Sequence, residues 1–203
     1  MALTFDQAAL DVVRMAHHAG ARDWVPATSG NFSVRMDAKT CAVTASGGDK
    51  GKLLLDGVIE APVHGPAPPR QSAEAELHYG LYRMEPNIGA VAHVHAKSAV
   101  LASLVYQGDG RVRLEGLELL KAFHGVKTHE VRMDVPIVEN DQDMERLERI
   151  AHRRLQQEGL GWGYLIAGHG LYVWGPDAAT TLRHLDAFDY LFRLTLNLRG
   201  IPA

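Results

Sequence analysis

Two histidines one residue apart, His93-Val94-His95, close an apolar run, Ile88-Gly89-Ala90-Val91-Ala92, that reads as a short buried strand. Residues two apart on a strand project to one face. Both imidazoles then point together, at a separation suited to gripping one cation, and imidazole is the commonest protein ligand for zinc and its neighbours. A catalytic zinc takes three protein ligands and keeps one position open. His169, between Gly168 and Gly170, is the best-placed third donor, because glycines let the backbone approach a ligand closely. The bland alternatives are two histidines with separate duties and a solvent-exposed turn histidine. His17, His18, His152 and His184 fall on expected helices and read as solvent-facing or locally bonded. His78, one turn after Glu74, could pack near the site but reads first as structural, while His124 and His129 lie in a polar loop and stay open.

Metal-assisted proton transfer also needs a base beside the polarised substrate. Glu74 and Glu118 are the candidate acids. Glu74 stands at a helix start, where the macrodipole stabilises a carboxylate, so capping alone would account for it. Glu118 would be equally at home as a solvated surface acid. Two turns, Ser29-Gly30-Asn31 and Ser46-Gly47-Gly48, offer exposed N–H groups that can form an anion nest, and Lys50 adds a point charge after the second. Ordinary loops have the same composition.

The elements that must position these residues follow from periodicity. Helical spacing predicts helices over 6–19, 72–83 (with Ser72 as cap), 98–106, 116–123, 141–158 and 177–199. Strands are predicted over 32–36, 41–45, 88–95, 135–138, 164–167 and 171–174, with a strand remnant in the proline-broken stretch 58–69. Helices and strands interleave, which predicts an α/β layered domain. The 203 residues suit one domain with a sizeable core, and 46% hydrophobic with 22% charged residues is an ordinary globular balance. A net charge of -3 and no Lys/Arg block argue against nucleic acid as a partner. Cys41 is the only cysteine, so no internal disulfide can form. With no basic leader and no apolar stretch long enough to span a bilayer, a soluble cytoplasmic protein is expected, with no membrane partner.

Four segments now fall into a known order. Thr28-Ser-Gly-Asn-Phe-Ser-Val-Arg35, Ser72-Ala-Glu74, His93-Val-His95 and Gly168-His-Gly170 resemble the class II aldolase/adducin-like family, over essentially the whole chain. His95-Ala-Lys-Ser-Ala-Val100, Pro136-Ile-Val-Glu-Asn-Asp-Gln-Asp-Met144, the stretch from Tyr164 to Gly175 and Asp186-Ala-Phe-Asp-Tyr-Leu-Phe192 are similar to the family's dehydratases of ketose phosphates. The resemblance implies one α/β/α domain over 1–203 with a central, mostly antiparallel sheet, assembled as a homotetramer with sites near subunit interfaces. It implies one zinc ion per subunit, held by His93, His95 and His169, and a small sugar-phosphate substrate. The phosphate would be cradled by Ser29, Gly30, Asn31, Ser46 and Gly47, with help from Ser72. In the family's aldolases the acid/base matches Glu74; in its dehydratases it matches Glu118. The resemblance therefore implies a hydro-lyase, with Glu118 transferring the proton and Glu74 as a supporting acid or occasional fourth metal ligand. A sugar-phosphate aldolase or pentulose-phosphate epimerase is the first alternative, favoured by Glu74. An adducin-like interaction module without metal is the second, opposed by the three histidines.

Overall fold

The computed structural model describes residues 2–66 and 68–203. The described residues form five α-helices and an eight-stranded mixed sheet. The first helix, α1 (Phe5–Gly20), opens with a reciprocal capping box between Thr4 and Gln7 and buries Ala8, Val12, Met15 and Ala19 on one stripe. Then come β1 (Asn31–Arg35), β2 (Thr40–Thr44), β3 (Val58–Pro62), α2 (Ala75–Met84), β4 (Ala90–Val94) and α3 (Lys97–Val105). The chain continues through β5 (Arg111–Glu115), β6 (Arg132–Val138), α4 (Met144–Glu158), β7 (Gly163–Ile166), β8 (Gly170–Gly175) and α5 (Ala178–Leu198).

The strand order is β3-β2-β1-β4-β8-β7-β6-β5, and only β6 and β7 run parallel. Alternation along the strands separates two apolar cores. Phe32, Val34, Ala92, Val94, Leu171 and Val173 face α1, α3 and α5, while Val43, Val91, Tyr164, Tyr172 and Trp174 face α2 and α4. This is the expected layered α/β arrangement with a mostly antiparallel sheet.

Register places the chemistry. Asn31 pairs with His93, His93 with Tyr172, and Tyr172 with Tyr164, so these four residues form one row across β1, β4, β8 and β7. Directly opposed residues share a face, and this row lies on the α2 side. The Tyr172 ring is stacked between His93 (centroids 4.2 Å apart) and Tyr164 (5.1 Å). Such pairs are worth about 0.5–1.5 kcal/mol beyond their buried area, so the row is a stiff floor beneath the imidazole.

Four local expectations differ. Ser72 is not the helix cap; the helix starts at Ala75 with Glu74 in the cap position, and the Ser72 hydroxyl accepts from the Glu74 N–H at 3.3 Å. The helix predicted over 116–123 is a 3-10 turn, Glu118–Ala122. No strand is predicted between 106 and 116, yet β5 lies there, with Val112 and Leu114 buried and Arg113 and Glu115 exposed. Its charges suit a sheet edge, where they oppose further pairing. His184 is buried rather than solvent-facing: its Nδ1 lies 2.8 Å from the Trp174 carbonyl, and its Nε2 accepts from the His124 N–H.

Candidate metal centre

Strand β4 carries His93 on its α2 face, where it is fully buried. His95 lies just past the strand end, its N–H donated to the Trp24 carbonyl. His169 sits in the turn joining β7 to β8. Gly170 is required beside it: a Cβ there would come within 2.3 Å of the Val94 carbonyl oxygen and 3.0 Å of the His93 ring. Gly30 is required for a related reason, having φ +77° and a Cβ position 2.8 Å from the His93 carbonyl oxygen. Glu74, at the start of α2, brings a carboxylate to the same point.

One ligand atom from each of Glu74, His93, His95 and His169 lies within 4.8 Å of the others. His93 Nε2 is 2.9 Å from His95 Nε2 and 3.6 Å from Glu74 Oε2, and His169 Nε2 is 3.1 Å from Glu74 Oε1. A tetrahedral zinc with bonds of about 2.0–2.1 Å holds its donors roughly 3.3 Å apart, and the observed spacings straddle that value. His93 Nδ1 faces the Leu171 carbonyl at 3.2 Å, so its proton sits there and the Nε2 lone pair is directed into the cluster. Three imidazoles and a carboxylate are a borderline donor set suited to a divalent first-row metal.

Electrostatics agree with ligation. Burial drives His93 well below the usual imidazole range and lowers His95 as well, so both rings are neutral near pH 7 and can donate lone pairs. Burial alone would raise Glu74. The hydrogen bond with His169, the charge of that ring and the Asn31 amide outweigh it and hold the carboxyl at about 2 in the metal-free site. Asn31 Nδ2 donates to Glu74 Oε2 at 2.8 Å.

Glu118 is placed differently. Its side chain is 70% exposed, paired with Lys121 and lying 3.6 Å from His129. It sits at the rim of a cavity of about 620 Å3 that is also lined by Leu117, Leu119, Ala122, Leu191 and Leu194. Its contacts include none of the four clustered donors.

The suggested anion turns are brought side by side. Lys50 Nζ donates to the Gly48 carbonyl at 2.7 Å and the Thr28 carbonyl at 3.4 Å, tying the first turn to the second. An Ala45–Gln71 bridge and a hydrogen bond from the Ser46 N–H to the Arg70 carbonyl bring the segment before Ser72 alongside. Ala27 and Thr28 have positive φ (51° and 66°) just before Ser29. Strain of that kind costs on the order of 1–3 kcal/mol per residue and collects at sites that use it. The Ser29 hydroxyl is buried without a partner, and Gly47 is exposed. Asn31 differs from the other turn residues: it is buried, with its amide committed to Glu74 and His78. His78, which the sequence marks by its position one helical turn after Glu74, does pack beside the site, through Asn31.

The family described as Class II Aldolase and Adducin N-terminal domain matches residues 10–196. The chain is 54% identical over 195 residues, 96% of each chain, to a methylthioribulose-1-phosphate dehydratase of Parvibaculum lavamentivorans. It is 48% identical over 198 residues to one of Stenotrophomonas maltophilia, covering 96% of this chain and 91% of that one. Among solved structures, an L-fuculose-1-phosphate aldolase from Thermus thermophilus has the same fold, with TM-score 0.76, 23% identity and 97% of both chains covered. This chain belongs to the class II aldolase and adducin N-terminal domain family.

Proposed function

We propose that this protein is a methylthioribulose-1-phosphate dehydratase, a hydro-lyase of methionine salvage. It would convert 5-methylthioribulose 1-phosphate and release one water, forming 2,3-diketo-5-methylthiopentyl 1-phosphate. The observation that carries this reading is the 54% identity, across 96% of both chains, to a relative of that name. The cluster of three histidines and an acid supplies chemistry that suits it.

His93, His95 and His169 would hold one Zn2+ per subunit, with Glu74 as a further donor or as the acid orienting them. When bound, the metal supplies a Lewis acid that draws electrons from the C2 carbonyl and makes the C3 proton acidic. Glu118, which lies on the α5 side of its own subunit and so reaches the centre from a neighbouring subunit of the assembly, takes that proton. The electron pair forms the C3–C4 double bond, and the C4 hydroxyl leaves as water with a proton from an acid. The resulting enol tautomerises to the diketone. Glu74 suits the base role less, because its carboxylate is already committed, with Oε2 accepting from Asn31 and Oε1 facing His169. Glu118 is exposed, and covering it with substrate strips away water and raises its proton affinity. Ser29, Gly30, Ser46, Gly47, Lys50 and Ser72 form the phosphate cradle, which fixes C3 against the base; Asn31, expected there too, is instead committed to Glu74 and His78. Orientation of this kind is worth roughly 7–11 kcal/mol of barrier in the best cases. The working form is a cytoplasmic homotetramer of this domain.

Incubating purified, zinc-loaded protein with the substrate and following diketone formation tests the reading; absence of turnover above background defeats it. Glu74 beside the histidines favours a second reading, a sugar-phosphate aldolase or pentulose-phosphate epimerase. Product analysis with fuculose phosphate and ribulose phosphate separates the two.

A further inference from the structure

We propose that His78 is a positioning residue for Glu74, acting through Asn31 in a one-directional hydrogen-bond chain that also includes Ser33 and Tyr82. The proposal rests on reading the four clustered donors as a metal centre and names what orients the acid there.

Proton assignment starts at the carboxylate, which can only accept. Asn31 Nδ2 therefore donates to Glu74 Oε2 (2.8 Å), which turns Asn31 Oδ1 toward His78 Nε2 (2.5 Å). Since Oδ1 can only accept, His78 Nε2 carries the ring proton. A neutral imidazole has one proton, so Nδ1 is bare and accepts from the Ser33 hydroxyl at 2.7 Å. With that proton committed, the Tyr82 hydroxyl donates to Ser33 Oγ at 2.8 Å. Every donor points toward Glu74. The opposite polarity is disfavoured, because an Nδ1-protonated His78 would turn the Asn31 amide over and set Oδ1 against the Glu74 carboxylate.

The chain is buried and anchored. Asn31, Ser33, His78 and Tyr82 are each no more than 2% exposed. Arg35 lies over the Tyr82 ring, 4.5 Å from its centroid, and donates to the Tyr82 carbonyl. His78 also packs its ring edge on Tyr172, the residue stacked under His93. The consequence for the site is specific. With the Asn31 amide locked, Glu74 Oε2 is pinned and Oε1 is presented to His169 Nε2 at 3.1 Å. Partners of this kind, one bond removed from a ligand, govern ligand orientation and metal affinity.

Three measurements test this. In the unmodified protein, 15N NMR of the His78 ring should show Nε2 protonated and Nδ1 bare; an Nδ1-protonated ring overturns the proposal. With Co2+ as the bound metal, His78→Leu should alter the visible spectrum and weaken Co2+ affinity or kcat roughly 10–100-fold, with KM near parental. His78→Gln, which restores an N–H toward Asn31, should recover the parental spectrum. A His78→Leu protein that melts earlier but keeps the parental spectrum and Co2+ affinity makes His78 merely structural and overturns the proposal. Failure of His78→Leu to fold leaves the ring tautomer to decide. Neither Co2+ binding nor the tautomer requires the substrate, so a parent protein that does not turn over methylthioribulose phosphate defeats the assigned reaction and not this inference.

Discussion

Glu74 and Glu118 are two acids of one chain in opposite surroundings. Glu74 is 24% exposed, accepts from Asn31 and faces His93 and His169. Glu118 is 70% exposed on a single 3-10 turn, with Lys121 and His129 as its partners. Both carboxyls lie below the ordinary range, for different reasons. Glu74 is lowered against its own burial by preorganised donors and neighbouring charge; Glu118 is lowered by a hydrogen bond from Lys121, in water. A rigid carboxylate with a fixed proton affinity suits a ligand or orienting group. A solvated one changes affinity when something covers it, as a proton carrier must. Environment divides the work between two identical side chains.

The comparison can be broken at several levels. The largest effect is expected from removing a histidine donor. His93→Ala or His169→Ala should abolish stoichiometric metal binding, read by metal analysis after dialysis, and catalysis should disappear with it. Next come the two acids. Glu118→Gln should lower kcat by roughly 10²–10⁴-fold at unchanged metal content, the range for losing a general base. Glu74→Gln should act mainly on metal affinity, by roughly 10–100-fold. A larger kcat loss for Glu74→Gln at saturating metal would exchange the two roles.

A smaller effect separates the buried side of the comparison by pH. Burial lowers His78 to about 3 and His184 to about 4. Above pH 6.5 neither ring is protonated in the folded or the unfolded chain. As pH falls through 6.5 the unfolded chain gains protons that the folded one refuses, so stability is lost until the folded value is reached. Each ring should cost the metal-free protein roughly 2 kcal/mol between pH 7 and pH 5. Urea midpoints at the two pH values measure this, and His184→Gln should remove its share. The smallest effect belongs to the exposed side: Glu118→Ala should change stability by no more than about 0.5 kcal/mol, because exposed ion pairs contribute little. A larger drop in melting temperature would mean that Glu118 is not the solvated, weakly held acid described.

Much of this arrangement was legible before folding. The His93-Val94-His95 pair and the glycine-flanked His169 mark themselves by spacing, and the three rings do meet. Apolar periodicity located α1, α4 and α5 and most of the strands, because amphipathic faces repeat locally. Strand β5 alternates cleanly but over only five residues, too short a run to stand out, and the 3-10 turn at Glu118 escapes because one turn of helix looks the same in either form.

What the amino-acid order determined by itself is therefore which residues could ligate, which turns could bend and which faces are apolar, since all are properties of neighbours a few positions apart. What only the tertiary structure decided is how those residues are held. The order of strands sets Asn31 beside His93 and Tyr172 beneath it. Helix α2, packed over β1, then lowers His78 onto Ser33 and Asn31, residues 45 and 47 positions away. A hydrogen bond depends on tenths of an ångström and on direction. No spacing along a chain specifies either until the register of the sheet is set.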